Sequence, residues 1–126
     1  MALPPNALLQ PQPLDPQNLD DYEVELLATG SGTSLLDPGE SVASFTVGLT
    51  VEAIDAGLRL KATGGYQTVL LGGNIVRFWV DVDPLTRDDA RFNSPGVLVG
   101  VEITVTTSNN PPRVRQRTTT IRIVNQ

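Results

Sequence analysis

The chain has 126 residues, no cysteine, no histidine, eight arginines against one lysine, and a formal net charge of −5. This is one domain's worth of sequence, and its missing residue types exclude Ser-His-Asp and Cys-His catalysis, imidazole or thiolate zinc sites, and disulfides. Val, Ile and Thr number 14, 5 and 13; branched side chains of this kind pack well on a pleated surface, so the composition points to an all-β chain that is not an enzyme and needs no cofactor.

Residues 1–20 read as an extended arm. Five of the ten prolines fall in the first sixteen positions. Proline lacks a backbone donor, so this stretch cannot enter a central strand or a helix interior. Leu3, Leu8, Leu9, Leu14 and Leu19 are scattered through it, more apolar surface than a solvated linker carries. Such an arm either wraps its own domain or docks on a neighbouring subunit, and the second reading is preferred. Its leucines at 3, 8, 9 and 14 are then candidate contacts.

From Asp21 onward the pattern is β. Tyr22–Leu26 alternates and predicts a first strand. A loop over Thr29–Ser34 and a turn over Leu36–Glu40 follow, the turn using Pro38 and Gly39. Ser41–Val47 places Ala43, Phe45 and Val47 on one face, which Leu49, Val51 and Ala53 extend. Leu58–Ala62 predicts a short strand closed by Gly64-Gly65, and Gln67–Leu71 another closed by Gly72-Gly73. Ile75–Val82 turns Val76, Phe78, Val80 and Val82 one way and Trp79 the other. Asp83–Gly96 is an irregular insertion. Val97–Val105 is the cleanest strand, and Arg117–Val124 is the last. About seven strands between turn signals over residues 21–126 predict an immunoglobulin-like β-sandwich, with no helical period of useful length.

Charge is split along the chain. Residues 1–58 hold nine acids and no base, and residues 59–126 hold nine bases and five acids. Arginines on an edge strand discourage mispairing. The alternative is pairing of the acidic and basic ends between neighbouring copies. Nucleic acid is a poor partner, because no aromatics are interleaved with the arginines. The start, Met1–Pro5, has no basic or apolar leader region, and no apolar run approaches membrane-spanning length. The expectation is therefore a soluble protein made in a cytoplasm.

Chemistry-bearing patterns are weak. Asp81, Asp83, Asp88 and Asp89 form a carboxylate cluster. Counted from Asp81, the glycine and glutamate of a calcium loop would fall at Thr86 and Phe92, so the match fails and a solvated loop is expected. Neither glycine pair fits a phosphate loop. Trp79 either packs at the core edge or anchors a partner.

Taken in order, Asp21-Tyr22, Leu36-Asp37-Pro38-Gly39-Glu40-Ser41-Val42-Ala43-Ser44, Phe78-Trp79-Val80, Thr106-Thr107-Ser108 and Arg117-Thr118-Thr119-Thr120-Ile121-Arg122-Ile123-Val124 resemble the tailed-bacteriophage fiber-tail adaptor family, small immunoglobulin-like virion proteins. The resemblance covers roughly residues 21–126. The position of Gly72-Gly73 before the Trp strand, the Asp83–Gly96 insertion and the arm depart from its pattern. It implies a structural protein of the virion tail, assembled in the bacterial cytoplasm, that joins fibers or spikes to the tail or connector. Its partners would be other virion proteins and copies of itself, with no nucleic acid and no membrane. A capsid decoration protein and a carbohydrate-binding β-sandwich are the alternatives. The expected contact residues are Leu3, Leu8, Leu9 and Leu14 of the arm, Trp79, then Arg87, Arg91 and Phe92 of the insertion, and Arg113, Arg115 and Arg117 near the C-terminus, with no catalytic or metal-binding residue.

Overall fold

Alternating side chains sort the chain into two sheets. The computed structural model describes residues 8–26, 35–36 and 39–126. Leu3, the Thr29–Ser34 loop and the Asp37-Pro38 step of the predicted turn lie outside the described residues. The elements in order are β1 Leu8–Leu9, β2 Asp20–Glu25, β3 Val42–Leu49, helix α1 Val51–Asp55, β4 Leu58–Lys61, β5 Val69–Leu71, β6 Ile75–Val82, a 3₁₀ turn at Ala90–Phe92, β7 Val97–Thr107 and β8 Val114–Ile123.

One sheet runs β1-β8-β7-β3; the other runs β2-β6-β4, with β5 also on β6. Strands β2 to β8 form a seven-stranded immunoglobulin-like sandwich. In the lettering of that fold, β2, β6 and the β4–β5 pair stand as B, E and D, and β3, β7 and β8 as C, F and G. The two-residue β1 pairs parallel with β8, Leu8 opposite Thr119 and Leu9 opposite Thr120, and so takes the edge of the first sheet. All the other ladders are antiparallel.

The core lies between the sheets. Val76, Phe78, Val80 and Val82 of β6 face Val99, Val101, Ile103 and Val105 of β7 and Ile121 and Ile123 of β8, all fully buried. Period-two alternation puts each set on one face of its strand. Tyr22 stacks on Phe78 with ring centroids 6.1 Å apart.

Three expectations are corrected. The arm does not stand off its own domain: residues 8–14 run along β8, and Leu14 bridges Ile123 and is fully buried. Prolines block central-strand pairing, but they allow an edge that pairs at only a few residues. Second, β3 shifts register between Val42 and Ser44. A bulge inserts one residue and flips the alternation, so Val42, Phe45, Val47 and Leu49 pack on the core while Ala43 and Ser44 are exposed. Third, β3 does not continue through Val51 and Ala53. The Thr50 hydroxyl accepts from the Ala53 N–H at 3.2 Å and caps α1. The helix buries Ala53 and leaves Val51 and Ile54 exposed.

Candidate interaction surfaces

The expected contact residues do not form one site. Two of them are core residues. Leu14 and Phe92 are both fully buried, so neither reaches a partner. Phe92 falls in the stretch expected to be an irregular insertion, yet Asp89 accepts from the Arg91 N–H and starts a 3₁₀ turn whose Phe92 side chain is buried. The exposed large hydrophobic residue of that insertion is Leu85, at 92%.

The insertion closes the end of the sandwich that also carries α1. Arg87 donates to the Val82 carbonyl at 2.7 Å, and Arg91 donates to the Asp55 carbonyl at 3.1 Å and pairs with Asp89 at 3.3 Å. Hydrogen bonds from the Arg91 backbone N–H and then its side chain hold the Asp89 carboxyl below its ordinary range. The four aspartates have separate tasks. Asp81 takes both arms of Arg59, Asp83 accepts from the Leu85 N–H, Asp88 accepts from Gln17, and Asp89 caps the 3₁₀ turn. Among the described residues no group of three or more acids, histidines or cysteines is placed to hold a metal ion, and no helix is long and apolar enough to cross a membrane.

The opposite end gathers the segments singled out in the sequence. Ser41 and Ser108 join hydroxyl to hydroxyl at 2.9 Å, and the Ser108 N–H donates to the Ser41 carbonyl. Asn109 donates to Glu40, and Arg113 and Arg115 each approach the Glu40 carboxylate at 4.0 Å. Thr107 accepts from the Arg113 N–H at 2.9 Å and fixes the β7–β8 hairpin. Gly39-Glu40-Ser41, Thr106-Thr107-Ser108 and Arg113–Arg115 therefore meet at this one end, with the Ser108–Pro112 loop exposed beyond them.

Charge pairing closes within the chain. Antiparallel pairing of β2 with β6 sets Glu23 opposite Arg77, and Arg77 reaches Glu23 at 2.6 Å and Asp21 at 3.3 Å. Asp21, Glu23 and Glu40 of the first half thus meet arginines of the second within one sandwich.

A cleft of about 220 Å3 separates β1 and β8 from β2, lined by Leu9, Gln10, Glu23, Val24, Glu25, Arg117 and Thr119. Leu9 is 57% exposed on its rim. Gln10 spans it, donating to the Glu23 carbonyl and the Thr119 hydroxyl, both at 2.9 Å. Arg117 donates to the Glu25 carbonyl at 2.7 Å; burial lowers its pKa, and the guanidinium stays charged at neutral pH. Leu9 and Arg117 are the two expected contacts that line this cleft.

Trp79 lies half-buried on the outer face of the β2-β6-β4 sheet, between Asp21 and Lys61 in register. Tyr66 packs edge-on against it at 5.3 Å and 72°. Rings set at that angle do not make the flat pair on which a sugar stacks. The chain matches no family model, no curated protein and no solved structure. Sequence reading missed the cleft and the place of β3 at the end of its sheet. The one available signal for that edge was the run Ser41–Val51, which carries no ionisable side chain.

Proposed function

We propose that this chain is a structural virion protein of a tailed phage, an adaptor that joins tail fibers or spikes to the tail or connector through protein–protein contacts. The reading rests on the resemblance of the strand and turn motifs. It is supported by the meeting of two of these motifs, the Glu40-Ser41 turn and the Thr106–Ser108 strand end, which join at one end beside Arg113 and Arg115. A rigid sandwich with arginines and an exposed hairpin at one end, and Leu85 exposed on the insertion at the other, can hold two partners at a fixed distance. Arginine suits such surfaces because its planar fork makes bidentate contacts and is weakly hydrated.

Particles carrying an epitope in the exposed Ser108–Pro112 loop test this by gold labelling. Label confined to the tail supports the adaptor. Label spread over the head replaces it with a decoration protein. Purified particles that lack the chain altogether sink both readings.

A further inference from the structure

Strand β3 ends the β1-β8-β7-β3 sheet, so among the described residues one side of it faces no other strand. The ladder shows which backbone groups point that way. The Thr50 N–H donates to the Gly100 carbonyl, and Leu49 stands opposite Val101. Hydrogen bonding alternates along an antiparallel pair. Gly48, Thr46 and Ser44 therefore turn their N–H and C=O toward β7, and Phe45, Val47 and Leu49 turn theirs outward. Among the described residues, none of those outward groups has a hydrogen-bond partner.

Natural sheet edges are blunted with charge, proline or a bulge. Past the bulge at Val42/Ser44 this one has none of these, since residues 45–51 carry no ionisable side chain and no proline. Its outer face is small: Ser44, Thr46 and Gly48 are exposed. Its inner face is only partly covered: Phe45, Val47 and Leu49 pack on the core without being fully buried, as do Leu60 and Leu70 of β4 and β5 in the opposing sheet. An unpaired edge and an open apolar seam thus coincide on one side of the sandwich.

We infer that this edge is the contact between two copies of the chain, paired antiparallel, β3 to β3, about a two-fold axis at Val47. In that register Val47 meets Val47 and Phe45 meets Leu49. Every outward N–H finds an outward C=O, because the donor and acceptor pattern of the three residues is its own complement. A two-fold axis sets like groups near one another, and an uncharged strand tolerates that. The flanking charges also fit. Arg113 and Arg115 gather at Glu40 at the head of β3, while Glu52 and Asp55 lie on α1 at its foot. Antiparallel pairing sets head beside foot. The result is one continuous sheet across two sandwiches. This inference rests on the edge alone and stands or falls apart from the adaptor reading.

The test is the mass of the purified full-length chain in solution, by light scattering across a dilution series, for wild type, Val47→Pro and Thr46→Lys. Proline at 47 deletes an outward N–H and no bond to β7, a placement that edge strands accept. Lysine at 46 adds like charge beside the axis and leaves the core alone. The expected result is twice the chain mass for wild type and one chain mass for both variants, each keeping the wild-type circular dichroism. A single-chain mass for wild type at every concentration overturns the proposal, as does a Thr46→Lys variant that folds and stays dimeric. If Val47→Pro does not fold, hydrogen exchange on wild type decides. The Phe45, Val47 and Leu49 amides gain protection as concentration rises, and equal exchange at high and low concentration contradicts the pairing.

Discussion

Leu14, deep in the proline-rich segment, bridges Ile123 of β8 in parallel, and both side chains are fully buried. The bridge is locked on each side, with the Leu14 N–H donating to the Arg122 carbonyl at 2.8 Å and the Val124 N–H donating to the Leu14 carbonyl at 3.0 Å. The segment thereby becomes part of the sandwich. Leu14→Ala deletes core contacts at a site too tightly packed to collapse. It is expected to destabilise by about 2–5 kcal/mol, a large share of a small domain's net stability. Urea unfolding of the variant checks this. A truncation through residue 18 removes the same side chain, so loss of function in such a truncation reports on folding as much as on binding.

Tyr22 makes stability depend on alkaline pH. Its hydroxyl donates to the Gln12 carbonyl at 3.1 Å, and burial, then the charges of Asp20 and Asp21, push its pKa well above the ordinary tyrosine value. The folded state therefore holds this proton where the unfolded chain releases it. The contribution is complete below the unfolded value of about 10 and is lost as pH rises through the folded one. Tyr22→Phe is expected to flatten that alkaline decline and to cost about 1 kcal/mol at neutral pH through the lost hydrogen bond. Unfolding free energies measured from pH 7 upward for both proteins check the slope.

Gly96 and Gly64 both have positive φ, 76° and 68°, but their surroundings differ. A Cβ on Gly96 would run into the Ile123 carbonyl and approach Val124 Cβ to 2.7 Å, whereas one on Gly64 would meet nothing within 4 Å. Gly64→Ala is expected to cost only the left-handed backbone penalty, about 1–2 kcal/mol. Gly96→Ala adds a clash with main chain that cannot swing away, and is expected to cost about 3 kcal/mol or more. Thermal unfolding of the pair separates the two terms.

Arg59 and Asp81 pair through two hydrogen bonds at 3.0 and 2.7 Å, across the register that joins β4 to β6. The Arg59 side chain is 44% exposed and that of Asp81 11%, so solvent screens the pair from one side. A double-mutant cycle with Arg59→Ala and Asp81→Ala is expected to give a coupling of about 1 kcal/mol, weakening in high salt.

Most of the fold was legible because strands announce themselves by alternation. Val76, Phe78, Val80 and Val82, and the odd-numbered residues of Val97–Val105, each read as one buried face, and the structure buries Val76 to Val82 together. What escaped are features that alternation does not encode. The bulge at Val42/Ser44 moves Ala43 out of the inward row without changing the residue types. The Val51–Ala53 alternation fits a strand as well as one turn of helix, and only the Thr50 cap decides between them. Leu14 and Phe92 looked like contacts because prolines and charges surround them; long-range pairing to β8 and a local 3₁₀ turn bury them. The convergence at Glu40 needs three segments far apart in sequence, and only the topology joins them. Which neighbours each end meets lies in the surface chemistry of other molecules, and a single chain's sequence does not hold it.

The direct test of the adaptor reading is the location and copy number of this chain in the intact particle, from a density map into which the sandwich is fitted. A few copies are expected, following the symmetry of the tail, with each sandwich lying between the tail or connector and the root of a fiber or spike. Copies spread over the head in numbers set by the capsid lattice, or a particle without the chain, would contradict it.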